Sequence, residues 1–217
     1  MKQKIPNMLT ILRLFMAALF FFLLELYRYG ESSPHLLDIA TAVFILAAIT
    51  DALDGNLARR WQAESTFGRV MDPFADKILV LGAFFYLAGP HFSTVGGNVQ
   101  QVSGVSGWMV VIIVARELLV TAIRGQVEAL GIKFGAVRAG KLKMILQTIA
   151  IPSVLLLIAH ADPLHTKWSL LTRDILVWAT VVATVISGIP YITHARAALR
   201  DRPDIDGQHD SDEAEKA

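Results

Sequence analysis

The 217-residue chain contains no cysteine, which excludes disulfides, thiolate catalysis and cysteine-ligated zinc and leaves the redox compartment open. It is also poor in charge: Asp, Glu, Lys and Arg supply 18% of the residues, against about 25% in an ordinary soluble domain. The net charge of +1 is too small to imply a nucleic-acid partner. Six histidines (His35, His91, His160, His165, His194 and His209) are scattered, no two of them at a metal-ligand spacing, and are read as non-functional. No internal repeat is found. The ligands left are carboxylate oxygens, which suit hard cations such as magnesium.

What the chain does have is hydrocarbon. Hydrophobic residues make up 54% of it, in blocks long enough for bilayer-crossing helices, which need roughly 20 residues each. Six spans are expected, at about Met8–Tyr29, Leu36–Arg59, Asp72–Ala88, Trp108–Arg124, Lys141–His160 and Leu171–His194. The fold class is therefore all-α: a polytopic integral membrane protein with six transmembrane helices. Residues 1–194 form the membrane domain, and the polar, acidic stretch 195–217 lacks the apolar residues to pack and is expected to be disordered. The first apolar block is read as a retained span, because no small-residue cleavage site follows it. Four tryptophans, Trp61, Trp108, Trp168 and Trp178, fall mostly near span ends, as interfacial anchors do.

Lysine and arginine give the orientation. With the N-terminus inside, Lys2, Lys4, Arg59, Arg60, Arg69, Arg124, Lys133, Arg138, Lys141, Lys143, Arg196, Arg200 and Arg202 all face the cytoplasm, whereas Arg28, Lys167 and Arg173 face out. An even span count returns the C-terminus to the cytoplasm.

Against this background four aspartates stand out in the stretch DALDGNLARRWQAESTFGRVMDPFAD, residues 51–76. Asp51 and Asp54 are spaced i, i+3, and Asp72 and Asp76 i, i+4, so each pair projects from one helix face. Both pairs fall at the cytoplasmic ends of spans two and three, which a short loop makes antiparallel neighbours. Carboxylates at the edge of a hydrocarbon layer are costly, and four together repel one another. Two divalent cations roughly 3.5–4 Å apart would remove that conflict and create a site for phosphoryl transfer. A carboxylate with one oxygen free could then take a proton from an attacking hydroxyl. Gly55 and Ala58 are small enough to let a diphosphate approach the helix, and Arg59 offers a guanidinium fork. The plainer alternative is that Asp51 and Asp54 merely pair with Arg59 at the interface.

Two basic clusters lie nearby. On span four, Arg116, Glu117, Thr121 and Arg124 fall within an arc of about 140°. Arg138, Lys141 and Lys143 open span five. Arg13 shares an arc of about 120° with Asn7 and Thr10 on span one. Together they suit an acceptor alcohol that carries a phosphate. A buried Arg116–Glu117 packing pair and a positive-inside flank at Arg138 are the plainer alternatives.

The segment reads Asp51-x2-Asp54-Gly55-x2-Ala58-Arg59-x8-Gly68-x3-Asp72-x3-Asp76 and resembles the signature of the CDP-alcohol phosphatidyltransferases, with every fixed position present. The resemblance implies a six-helix membrane core, a homodimer, and two magnesium ions, with manganese as the alternative metal. It assigns Asp51, Asp54 and Asp72 to the first ion and Asp51, Asp72 and Asp76 to the second, with Asp76 as general base. Gly55, Arg59 and Ser65 would contact the CDP of the donor. The stretch Ile5, Pro6, Asn7 and Met8, just before the first span, would close over it, although Pro6 could equally be a plain break at the membrane surface.

The motifs PNMLTILR and RELLVTAIR resemble the glycerol-phosphate branch of the family. That branch transfers a phosphatidyl group from CDP-diacylglycerol to sn-glycerol 3-phosphate, and the resemblance implies an inner (plasma) membrane protein of a bacterial cell, in contact with membrane lipids. Arg13, Arg116, Arg124, Arg138, Lys141 and Lys143 would then hold the acceptor phosphate. Inositol phosphate, serine and phosphatidylglycerol stay open as acceptors. A membrane prenyltransferase and a divalent-cation transporter stay open as other classes.

Overall fold

Each apolar block of the sequence forms one helix. The computed structural model describes the backbone of residues 4–61, 66–94, 99–129, 138–161 and 164–200, with side chains described outside 4–7, 9, 52–61, 66–73, 75–76, 128–129, 138–139 and 194–200. Helices α1 (Lys4–Leu26), α2 (His35–Trp61), α3 (Thr66–Leu87), α4 (Gly107–Ala129), α5 (Arg138–His160) and α6 (Lys167–Arg200) follow in order, and the described residues contain no sheet. Gly140–His160 and Lys167–Thr193 are long and apolar enough to cross a membrane.

The helices alternate in direction. Arg13 near the start of α1 pairs with Asp51 far along α2, and Phe20 meets Phe44 with ring centroids 5.4 Å apart, so α2 runs against α1. Phe21 stacks on Tyr86 near the end of α3, which therefore runs with α1. Lys77 bonds Thr121 across to α4, and His160 at the end of α5 lies 2.6 Å from Asp38 at the start of α2. Trp108 meets Trp178, and Arg116 Nη2 donates to the Ser187 carbonyl at 3.2 Å, so α6 runs with α4. All four aspartates consequently lie at one end of the bundle. At the opposite end the chain turns from α1 to α2 through Gly30, whose φ of 81° is the left-handed conformation that glycine adopts freely.

The core contains Phe20, Leu24, Phe44, Leu87, Ile113, Ile151 and Leu155, all buried. The outer surface is apolar too. Phe15, Phe22, Phe85, Val111, Leu118, Ile175 and Ile189 are each more than half exposed. Meanwhile Arg13, Glu117, Lys143, Gln147, Thr180 and Thr184 are buried among the helices. Large apolar groups outside and polar groups inside are the distribution expected of a bundle whose surroundings are hydrocarbon.

Four expectations change. The helices overrun their apolar blocks: α1 begins at Lys4, α3 at Thr66, and α4 runs on to Ala129. Hydropathy marks where a helix is apolar, whereas Arg, Glu, Gln and Lys continue a helix well. Ile5–Met8 therefore belongs to the first turns of α1 rather than to a flank. For the same reason α6 crosses the expected boundary at 194 and ends at Arg200, while 201–217 lie outside the described residues. Finally, α2 and α3 are not close packing partners among the described residues, for α1 and α5 each touch both of them. A short connection fixes only the ends that it joins, and between the two helices lies a cavity.

Candidate active site

The backbone is helical at Asp51, Asp54, Asp72 and Asp76, so both expected spacings lie on helices. Only the Asp51 side chain is among the described ones. Those of Asp54, Asp72, Asp76, Gly55, Ala58, Arg59, Ile5, Pro6, Asn7 and Arg138, and all of Ser65, lie outside the description. Among the described residues no three acidic or histidine side chains gather into a cluster.

Asp51 is partly buried, and its Oδ1 lies 2.8 Å from Nη1 of the buried Arg13. Both line a cavity of about 240 Å3 between α1, α2, α3 and α5, walled by Phe44, Ala48, Leu79, Val80, Thr148 and Ile149. The ion pair occupies one carboxylate oxygen and leaves Oδ2 for another partner. An oxygen-only donor set of four aspartates, in a chain without cysteine, fits a hard divalent cation.

Beyond Val80 and Met144, which line both spaces, lies a second cavity of about 580 Å3. Its wall carries Lys77 from α3, Arg116, Glu117, Thr121 and Arg124 from α4, Lys143 and Gln147 from α5, and Tyr191 from α6. Among the described residues four cations here face one carboxylate. Glu117, 8% exposed, accepts from Arg116 Nη1 at 2.8 Å and also from Lys143 Nζ. Glu117 thereby spreads its charge over two cations and fixes the position of both. The Arg116 guanidinium also lies 5.6 Å from the Tyr191 ring centroid, a cation–π contact. Lys77 donates to the Thr121 hydroxyl, which in turn donates to the Glu117 carbonyl at 2.7 Å. Gly140 lets Tyr191 come close, since a Cβ there would sit 3.0 Å from its Oη.

Arg116, Arg124 and Lys143 are thus brought together as expected, and the arc on α4 is the one that faces the cavity. Arg13 is not with them: it lines the aspartate cavity, where its guanidinium pairs with Asp51 of α2. Lys141 is exposed and off the wall, two residues and therefore about 200° from Lys143. Sequence reading missed Lys77, Gln147 and Tyr191. Gln147 stands i, i+4 from Lys143, a spacing that could have found it, and Lys77 directly follows Asp76. Tyr191 reaches the cavity through tertiary packing alone.

Residues 3–186 match the family model described as CDP-alcohol phosphatidyltransferase. The chain belongs to that family. A protein of Mycobacterium tuberculosis named "Probable phosphatidylglycerophosphate synthase" is 34% identical over 197 residues, covering 91% of this chain and 82% of that one. A CDP-diacylglycerol–glycerol-3-phosphate 3-phosphatidyltransferase of Bacillus subtilis is 30% identical over 203 residues, 90% of this chain and 97% of its own. One of the same name from Escherichia coli is 30% identical over 208 residues, 93% and 100% of the two chains. CDP-alcohol phosphatidyltransferases are membrane-associated enzymes, generally dependent on a divalent metal. Membership makes this chain a transferase and sets aside the prenyltransferase and cation-transporter alternatives.

Proposed function

We propose that the enzyme transfers the phosphatidyl group of CDP-diacylglycerol to sn-glycerol 3-phosphate, giving phosphatidylglycerophosphate and CMP for phospholipid synthesis. The observation that carries the acceptor is the basic cavity beside the aspartate cavity, sharing Val80 and Met144 with it. Serine would offer Lys77, Arg116, Arg124 and Lys143 one carboxylate and bring an ammonium that they repel, whereas a phosphate can accept from all four.

In this reading Asp51, Asp54 and Asp72 would hold one magnesium ion, and Asp51, Asp72 and Asp76 the second. When bound, the two cations supply Lewis-acid neutralisation of the donor's diphosphate. Arg13 keeps Asp51 oriented through Oδ1, and Oδ2 would remain available as a ligand. Gly55, Ala58, Arg59 and Ser65, with Ile5 to Met8, accommodate the CDP. The largely apolar cavity near Asp51 takes the lipid side of the donor, its acyl chains running out into the bilayer.

Asp76 is the general base of this reading, one residue before Lys77 of the basic cavity in the chain. Asp76 takes the proton of the C1 hydroxyl. The freed oxygen attacks the phosphorus attached to diacylglycerol, forming the new P–O bond. The bond to the cytidylyl phosphate breaks, and its electron pair leaves with CMP. The protein's part is placement and charge neutralisation.

Six membrane-crossing helices, both termini in the cytoplasm, belong to the same proposal. The alternating helices bring Lys77, Arg124, Lys141 and Lys143 to the aspartate end, with Arg28 and Arg173 at the other, the charge bias of an inner-membrane protein facing its active site to the cytoplasm. A homodimer is also expected. The test is CMP release from CDP-diacylglycerol with sn-glycerol 3-phosphate, inositol phosphate, serine or phosphatidylglycerol, each with and without EDTA. No stimulation by glycerol 3-phosphate would overturn the acceptor.

A further inference from the structure

Gln147 is a polar group with no partner of its own. It stands one turn from Lys143 on the same face of α5, pointing into the basic cavity. It is 1% exposed, and its Nε2 has no hydrogen-bond partner among the described residues. An amide donor kept from water and left unpaired lowers stability, so its presence calls for a partner that the described residues do not supply. Around it, Arg116 Nη1 and Nη2, Lys143 Nζ and the Thr121 hydroxyl are all engaged, while Arg116 Nε is likewise buried without a partner.

The missing partner has a definable chemistry. The four cations already suit a phosphate. A carboxamide differs from them in being able both to give and to accept a hydrogen bond, which matches a hydroxyl. Resting on the acceptor reading above, we infer that Gln147 binds the secondary hydroxyl of glycerol phosphate and so selects acceptors that carry a hydroxyl next to the reacting carbon. It is a specificity residue, and the phosphate and the C1 hydroxyl are left to the cations and to Asp76.

The chemistry admits a clean comparison. 3-Hydroxypropyl phosphate keeps the primary hydroxyl and the phosphate of glycerol 3-phosphate and lacks only the secondary hydroxyl. A site built to bond that hydroxyl discriminates against the analogue, because its polar group is then left unpaired. CMP release is measured with both acceptors for the wild type and for Gln147→Leu, with Gln147→Met as a second variant that preserves side-chain length. The ratio of the two kcat/KM values cancels any difference in the amount of folded protein.

The wild type should favour glycerol 3-phosphate by about tenfold or more, and both variants should bring the ratio to within about twofold of one, mainly by loss on glycerol 3-phosphate. An equal fall for both acceptors, as from a phosphate contact or a packing role, would overturn the inference. An unchanged ratio would do so as well. If the wild type releases CMP with neither acceptor, the acceptor reading itself fails, a result distinct from either of these.

Discussion

Arg13 Nη1 and Asp51 Oδ1 lie 2.8 Å apart, tying the early turns of α1 to the aspartate end of α2. The arginine side chain is 3% exposed and the carboxylate 28%, so the pair is largely shielded from water. In the proposed mechanism Arg13 acts on a metal-binding aspartate and only through it on catalysis. Arg13→Met should raise the magnesium concentration for half-maximal CMP release by about tenfold, the scale of a lost outer-shell contact. The KM for glycerol 3-phosphate should stay unchanged. A selective rise in that KM would return Arg13 to the acceptor site.

Glu117 lies between Arg116 and Lys143, and its removal leaves two buried cations without their carboxylate. Breaking a buried pair of this kind costs about 3–5 kcal/mol. Glu117→Gln should therefore lower the melting temperature in detergent. Glycerol 3-phosphate, which can replace the lost negative charge, should raise that temperature more in the variant than in the wild type. Equal stabilisation of both would deny that the cavity holds the acceptor phosphate.

Among the basic residues the structure separates those on the cavity wall from one that is off it. Lys77 and Arg124 line the cavity, while Lys141 is exposed away from it. A charged hydrogen bond is worth about 1.5–3 kcal/mol, so Lys77→Ala and Arg124→Ala should each raise the acceptor KM about 10–100-fold with the donor KM unaffected. Lys141→Ala should change it by less than about twofold, as surface substitutions do. Steady-state kinetics with each substrate varied in turn distinguishes these outcomes.

The sequence revealed the six helices because long apolar runs are an unambiguous signal, and it revealed the aspartate pairs because i, i+3 and i, i+4 spacings need only a helix. Helix ends were harder: the apolar signal stops before α6 reaches Arg200 and starts after α3 begins at Thr66. Arg13 illustrates a deeper limit. Its helical arc was correct, yet which neighbour that arc faces depends on α1 lying against both α2 and α3. Tyr191 is further still, on the last helix and linked to Arg116 and Gly140 only through folding. Gln147 carried no charge in the sequence to draw notice, and its meaning comes from burial without a partner.

In the proposed mechanism Asp76 draws a proton from glycerol 3-phosphate beside the donor's diphosphate. The most direct measurement is CMP release from CDP-diacylglycerol by the wild type and by Asp76→Asn, with donor binding followed in parallel. The wild type should require both glycerol 3-phosphate and a divalent cation, and EDTA should abolish release. The variant should lose about 10²–10⁴-fold in kcat, the range of general-base catalysis, while still binding the donor. Turnover by Asp76→Asn near the wild-type rate, or CMP release indifferent to glycerol 3-phosphate, would contradict it.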